Sequence, residues 1–253
     1  MNRIFQLAAI TSVLASSNVF AQTPAEGEFE LGIIVTSGNT ETTSLKGKVA
    51  YKHELENWSN QYQLEALYKK DDLDIDTDGD NVADTKVSET TAQKYFLSGQ
   101  GDYKLNDEHS ALFVFASYED DKFSGYDYQS TIAAGYSDQL FGNDTSYFKY
   151  NIGPGYSFSK VDSGEKAETA VLRLAAEYQY KFSANAKFTQ KLSTEAALES
   201  GKNTKTKSES AISANLMGSL SMKAAYTITH NSEVPATKEN TDTTTSITFV
   251  YLF

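Results

Sequence analysis

Asp74-Ile75-Asp76-Thr77-Asp78-Gly79-Asp80-Asn81-Val82-Ala83-Asp84 carries the sharpest chemical signal in the chain. Carboxylates at alternate positions, followed by a glycine that permits a sharp turn, can wrap oxygen ligands around Ca²⁺. The candidate metal ligands are therefore Asp74, Asp76, Asp78, Asp80 and Asp84, and Ca²⁺ is the one cofactor expected. The pattern is incomplete, because Thr85 stands where a bidentate Glu would close the coordination shell, and no helices are expected on either side. The affinity expected is modest and suited to an exterior rich in the ion. The competing reading is a solvated acidic loop that attracts divalent cations diffusely.

The histidines are His53, His109 and His230. His230 and Ser232 lie two apart, so on a strand they point the same way, as the base and nucleophile of acyl transfer must. That chemistry also needs a group to orient the imidazole and donors for an oxyanion, and Asn240 could reach only across a loop. No catalytic residue is therefore assigned. The chain has no Cys, which removes disulfides and thiolate chemistry, and it contains no glycine-rich phosphate loop or Walker pattern. Its many carboxylates single out no glycosidase pair. A net charge of -12 and a pI near 4.7 argue against nucleic-acid binding.

Any such residues must be held by elements, and the first segment reads as export rather than structure. Met1-Asn2-Arg3 supplies a positive start, Ile4 to Ala15 an apolar run, and Val19-Phe20-Ala21 a small-x-small cleavage site before Gln22. Residues 1–21 are thus expected to be a signal peptide and 22–253 the mature domain.

From Glu28 onward, apolar residues recur at every second position, the period of a strand with two unlike faces. Leu45, Gly47, Val49 and Tyr51 oppose Ser44, Lys46, Lys48 and Lys52. Tyr62, Leu64, Ala66 and Tyr68 oppose Gln61, Gln63, Glu65 and Lys69. Ala170 to Tyr180 sets Leu172, Leu174 and Tyr178 against Arg173, Glu177 and Gln179, and the last run places Ile247, Phe249, Tyr251 and Phe253 on one face. Turn-rich segments separate about twelve such runs. Pro154 falls inside one of them, so that strand needs a bulge or an unpaired site, which Gly153 and Gly155 make easier.

A soluble periplasmic β-sandwich also alternates, and is the bland alternative. An export signal, runs near the ~9–11 residues that cross a bilayer, and an aromatic last residue favour a closed antiparallel transmembrane β-barrel of about twelve strands. A spanning sheet must close, because lipid offers no partner to a free backbone edge. An even strand count puts both termini on the periplasmic side, with Asp71 to Glu89 and Asn231 to Asn240 as long external loops and brief turns near Asn106, Asn143 and Ala184. Lys46, Lys48, Glu65, Lys69, Arg173, Glu177, Lys187, Lys191 and Glu195 then face the interior, pair across it and leave at most a narrow pore.

The chain resembles the salt-induced outer-membrane proteins, a domain-of-unknown-function family of envelope β-proteins. The resemblance rests on Thr36-Ser37-Gly38-Asn39-Thr40-Glu41 with Leu45-Lys46-Gly47, on Trp58, on Gly153-Pro154-Gly155-Tyr156, and on Ala175 to Phe182 leading into Phe188-Thr189-Gln190. It implies a cell outer-membrane location but no activity to carry over. The His-x-Ser pair resembles that of outer-membrane phospholipases, which makes a lipid-modifying enzyme the alternative to a structural or weakly permeable barrel. The partners expected are membrane lipids and lipopolysaccharide, together with the barrel-assembly machinery acting on a C-terminal strand that ends in Phe253. The protein is expected to be a monomer that binds no nucleic acid.

Overall fold

Alternation dictates the architecture. Most of the twelve strands present one apolar and one polar face, and successive strands pair antiparallel with the next in sequence. The computed structural model describes residues 25–37, 42–75, 85–105, 109–121 and 124–253, and the side chains of 34–44 and 69–92 lie outside that description. The expected signal peptide, 1–21, also lies outside it.

The strands run in chain order around one closed barrel. They are β1 (Ala25–Ser37), β2 (Thr42–Glu54), β3 (Trp58–Ile75), β4 (Thr85–Lys104), β5 (Ser110–Asp121) and β6 (Tyr126–Gly142). β7 (Ser146–Val161), β8 (Lys166–Ser183), β9 (Ala186–Ala197), β10 (Lys205–Met217), β11 (Leu220–Asn231) and β12 (Thr241–Leu252) complete the ring. β1 pairs with β12 from Glu28↔Leu252 to Ser37↔Thr243. The seam extends to the last residue: Gly27 N–H donates to Phe253 O at 2.8 Å, and Phe253 N–H donates back to Gly27 O at 2.9 Å. The Phe253 ring lies over Gly27, in the place a Cβ there would take, so a larger residue at 27 would have to turn that ring aside.

The apolar edge faces outward. Ile33, Leu45, Leu64, Leu97, Val114, Ile132, Ile212, Ile247 and Phe249 are all exposed around the ring, whereas Glu30, Lys46, Lys48, Asp102, Glu119 and Arg173 are buried. This inversion of a soluble protein's surface would be an unbroken apolar patch in water, and it suits hydrocarbon. Aromatic pairs ring the end that carries the termini: Trp58–Tyr103, Phe141–Phe148, Tyr180–Phe182 and Tyr251–Phe253. Tyr118–Tyr128 and Tyr156–Phe158 lie toward the far end. Amphipathic rings favour both membrane interfaces, and two belts result.

At the end with the termini, connections run from two residues, 184–185 and 218–219, to five, 105–109. At the far end they reach nine, at 76–84 and 232–240. The expected loop from Asp71 to Glu89 is mostly strand instead, since pairing continues from Asp71↔Glu89 to Ile75↔Thr85. Lys-Asp-Asp-Leu-Asp-Ile and its partner segment contain no Gly or Pro to stop the ladder, so the hairpin outgrows the bilayer. At 18 and 20 residues, β3 and β4 are about twice the length a membrane crossing needs. Pro154 produces the unpaired site expected of it. The β6–β7 ladder passes from Ala133↔Gly155 to Tyr136↔Ile152 with the intervening positions unmatched and the register unchanged.

Candidate functional site

The lumen is where chemistry-bearing side chains converge. At the seam, Glu30 on β1 is fully buried and lies 2.8 Å from Lys48 Nζ on β2 and 3.2 Å from Lys223 Nζ on β11. Thr248 on β12 donates to its other oxygen at 3.3 Å. Lys48 also meets Glu28, and Lys223 also meets Glu209 at 3.0 Å. One carboxylate therefore ties four consecutive strands across the closure. Charge-assisted bonds of this kind satisfy buried ions that would otherwise be costly.

A second set spans the lumen. Lys205 on β10 reaches Glu119 on β5 at 2.6 Å and Gln129 on β6 at 2.9 Å. Gln129 in turn donates to Asn231 on β11, which also accepts from Asn203. Lys94 on β4 holds both Glu119 and Asp121, and Lys46 holds Glu65 at 3.1 Å. Lys207, two residues along from Lys205, lies over the Phe96 ring of β4 at 5.4 Å.

These bonds report the barrel's cross-section. A round barrel of twelve strands has a backbone diameter of about 24 Å from the ~4.8 Å strand spacing and ~40° tilt. Extended Lys and Glu side chains joined by a hydrogen bond span only about 14 Å. The walls at β5 and β10 are therefore drawn together. Glycines allow it at two opposite corners. A Cβ on Gly32 would lie 2.2 Å from Ile247 O across β1 and β12, and one on Gly153 would lie 2.1 Å from Ala134 O across β7 and β6. Only residues without a side chain tolerate so close a backbone approach.

Beside the β6–β7 corner, the inner wall is apolar. Phe113, Phe115 and Ala133 form a buried cluster, and Val171 is buried on β8. Arg173 lies on this ledge with its guanidinium 3.7 Å from the Phe115 ring centre.

The connection 232–240 crosses the far mouth. Tyr126 donates its hydroxyl to Glu233 O, and Pro235 and Lys238 lie against Gly125, whose φ of 84° favours glycine. Ser232 N–H donates to Thr204 O, and Ser232 Oγ accepts from Thr204 N–H. The strap is anchored on both sides of the opening.

Among the residues singled out in the sequence, Lys46, Lys48, Glu65, Arg173, Glu177 and Lys191 take part in the lumen as expected. The side chain of Lys69 lies outside the described residues. Asp74 is the penultimate residue of β3, its backbone paired to Lys86, while Asp76, Asp78, Asp80 and Asp84 lie outside the described residues. Among the described residues no cluster of three or more His, Cys, Asp or Glu is arranged to hold a metal. His230 Nδ1 bonds Thr241 Oγ1, Ser232 bonds Thr204, and Asn240 donates to the backbone oxygens of Asn231 and Ser232. Each member of the tempting His-x-Ser arrangement is thus engaged elsewhere. Sequence reasoning missed Lys205, Glu119, Lys94 and the apolar ledge. A signal for the ledge exists in Ala111-Leu112-Phe113-Val114-Phe115, which is apolar on both faces and so has to be covered on both.

Closed antiparallel topology, an apolar exterior and a charged interior define a closed barrel of the outer-membrane type. The fold is similar to that of the NanC porin, with a TM-score of 0.57, 9% identity, and coverage of 88% of this chain and 98% of that one. The translocator domain of the autotransporter NalP from Neisseria meningitidis gives a TM-score of 0.50 at 11% identity, covering 98% of this chain and 93% of that one. Residues 29–253 match the family described as "Protein of unknown function, DUF481", and the chain belongs to that family. It is 29% identical over 234 residues to the uncharacterized protein YdiY of Escherichia coli (strain K12), covering 91% of this chain and 84% of the relative.

Proposed function

We propose that this protein is an outer-membrane barrel of narrow permeability, closed in the state described here, with both termini in the periplasm and the 232–240 strap facing outward. The Lys205–Glu119 bond carries the reading, because a lumen held shut by an ion pair between opposite walls leaves no wide path. Lipids and lipopolysaccharide contact the apolar exterior, the C-terminal strand ending in Phe253 is the element offered to the assembly machinery, and residues 1–21 are removed on export.

Planar-bilayer recording tests the closed lumen. Wild-type protein is expected to give no large, steady conductance, and the double substitution Lys205→Ser with Glu119→Ser is expected to open one. A wide conductance in the wild type, or none in a correctly folded double variant, overturns the proposal.

Calcium binding by Asp74, Asp76, Asp78, Asp80 and Asp84 is a second reading. It is favoured by backbone pairing up to Ile75↔Thr85, which fixes both ends of the acidic segment. Calorimetry should show a saturable Ca²⁺ heat that disappears in Asp76→Ala with Asp78→Ala; absence of that heat in the wild type removes the site. The lipid-modifying alternative is tested by phospholipid release, which Ser232→Ala should abolish if it occurs.

A further inference from the structure

Arg173 is the one arginine after Arg3, in a chain whose other cationic side chains are lysines. It is nine-tenths buried in the lumen. Its face is held by the Phe115 ring, yet its Nε and Nη1 are buried with no hydrogen-bond partner. A guanidinium whose face is stacked on an aromatic ring and whose edge is free is prepared to receive planar or tetrahedral oxyanions, which a lysine cannot do in the same fixed geometry.

The surroundings keep that edge free. Glu195 stands directly opposite Arg173 in the β8–β9 register, where cross-strand charges ordinarily pair. It instead accepts a hydrogen bond from Thr131 at 2.8 Å. On the other side, Arg173 is paired in register with Gly153. With no side chain at Gly153, and none at Gly135 beyond it, the guanidinium can lie along the wall as far as Phe115 on β5. Asn151 Oδ1, on the same strand as Gly153 and two residues away, is also buried without a partner. Rotating that amide would put a donor at that unpartnered position on the same face of β7.

We propose that Arg173 is the oxyanion-binding residue of the lumen, taking the carboxylate or phosphate group of a small solute on its unpaired edge. The route by which the solute arrives rests on the narrow-pore reading; the binding itself does not. An unpaired buried guanidinium is costly, and an anion satisfies it.

Isothermal titration of the folded protein in detergent with sodium acetate, inorganic phosphate and, as control, sodium chloride tests the site, in the wild type and in the Lys205→Ser/Glu119→Ser background. Saturable binding of acetate or phosphate is expected in at least one background, and which of them binds identifies the carboxylate or phosphate class. Arg173→Gln should weaken it at least tenfold, Arg173→Lys should weaken it less, and Glu195→Gln should tighten it severalfold by removing the competing negative charge. Heat-modifiable gel mobility confirms that each variant is folded, and Phe115→Leu supplies a second way to loosen the guanidinium if Arg173→Gln fails to fold. No saturable heat in either background, an adventitious response equal to that of chloride, or binding unchanged by the variants overturns the proposal. Bilayer recording of the opened background separates the two readings: absence of current there defeats the pore alone, while the titration still decides Arg173.

Discussion

Glu30 shows how an ion can be structural in a membrane protein. It sits where the first and last strands meet, fully buried, with two ammonium groups and a hydroxyl directed at its oxygens. Removing one member of such a set is worse than never having built it, because the partners stay buried and unpaired. Glu30→Gln is expected to destabilise the barrel by about 3–5 kcal/mol. Urea unfolding in lipid vesicles measures the loss, and a change below about 0.5 kcal/mol would show that water reaches the Lys48 and Lys223 ammoniums. Lys52 and Glu54, half-exposed near the end of β2, form a pair of the ordinary surface kind and merit no such expectation.

Among the elements, the β6–β7 ladder and the strap determine the shape and closure of the lumen. Gly153 permits a backbone approach that any side chain forbids, so Gly153→Val should abolish the folded form. Gly47 faces outward with nothing within 4 Å of its absent Cβ, so Gly47→Ala should be nearly neutral. Refolding yield read by gel mobility compares the two; equal tolerance would mean that the corner can round out. At the mouth, a Cβ on Gly125 would sit 2.9 Å from Pro235 Cδ in a backbone conformation already unfavourable to other residues. Gly125→Val should displace the strap and increase protease cleavage within 232–240. Unchanged cleavage would show that the strap is held by Tyr126 and the Thr204–Ser232 bonds alone.

As a whole, the barrel has every strand paired on both sides, including β1 with β12. A ring without an edge loses its ladder cooperatively, and its charged interior cannot be exposed to detergent one strand at a time. The folded protein should therefore stay compact in detergent at room temperature and migrate differently on a gel only after boiling. Identical mobility before and after heating would be incompatible with a closed membrane barrel. The β3–β4 hairpin, whose strands are roughly twice the crossing length, should be the first part trimmed by added protease, leaving the ring intact.

Strand number, the lipid and lumen faces, and the antiparallel closed class were legible in the sequence, because the two-residue period is local and a strand that crosses lipid must expose its apolar edge. Ile247, Phe249 and Tyr251 declared their face without help from any other segment. The disturbance at Pro154 was legible for the same reason, since proline's missing N–H is a property of that residue alone. Which charges meet was not, because Lys205 and Glu119 are 86 residues apart and nothing local records how the four strands between them bring the two walls together. Nor could spacing show that Gly32 and Gly153 stand at opposite corners, or that Arg173 turns from the Glu195 paired beside it to Phe115. Those choices belong to the closed ring, which sets the distance between walls and therefore decides which side chains can touch.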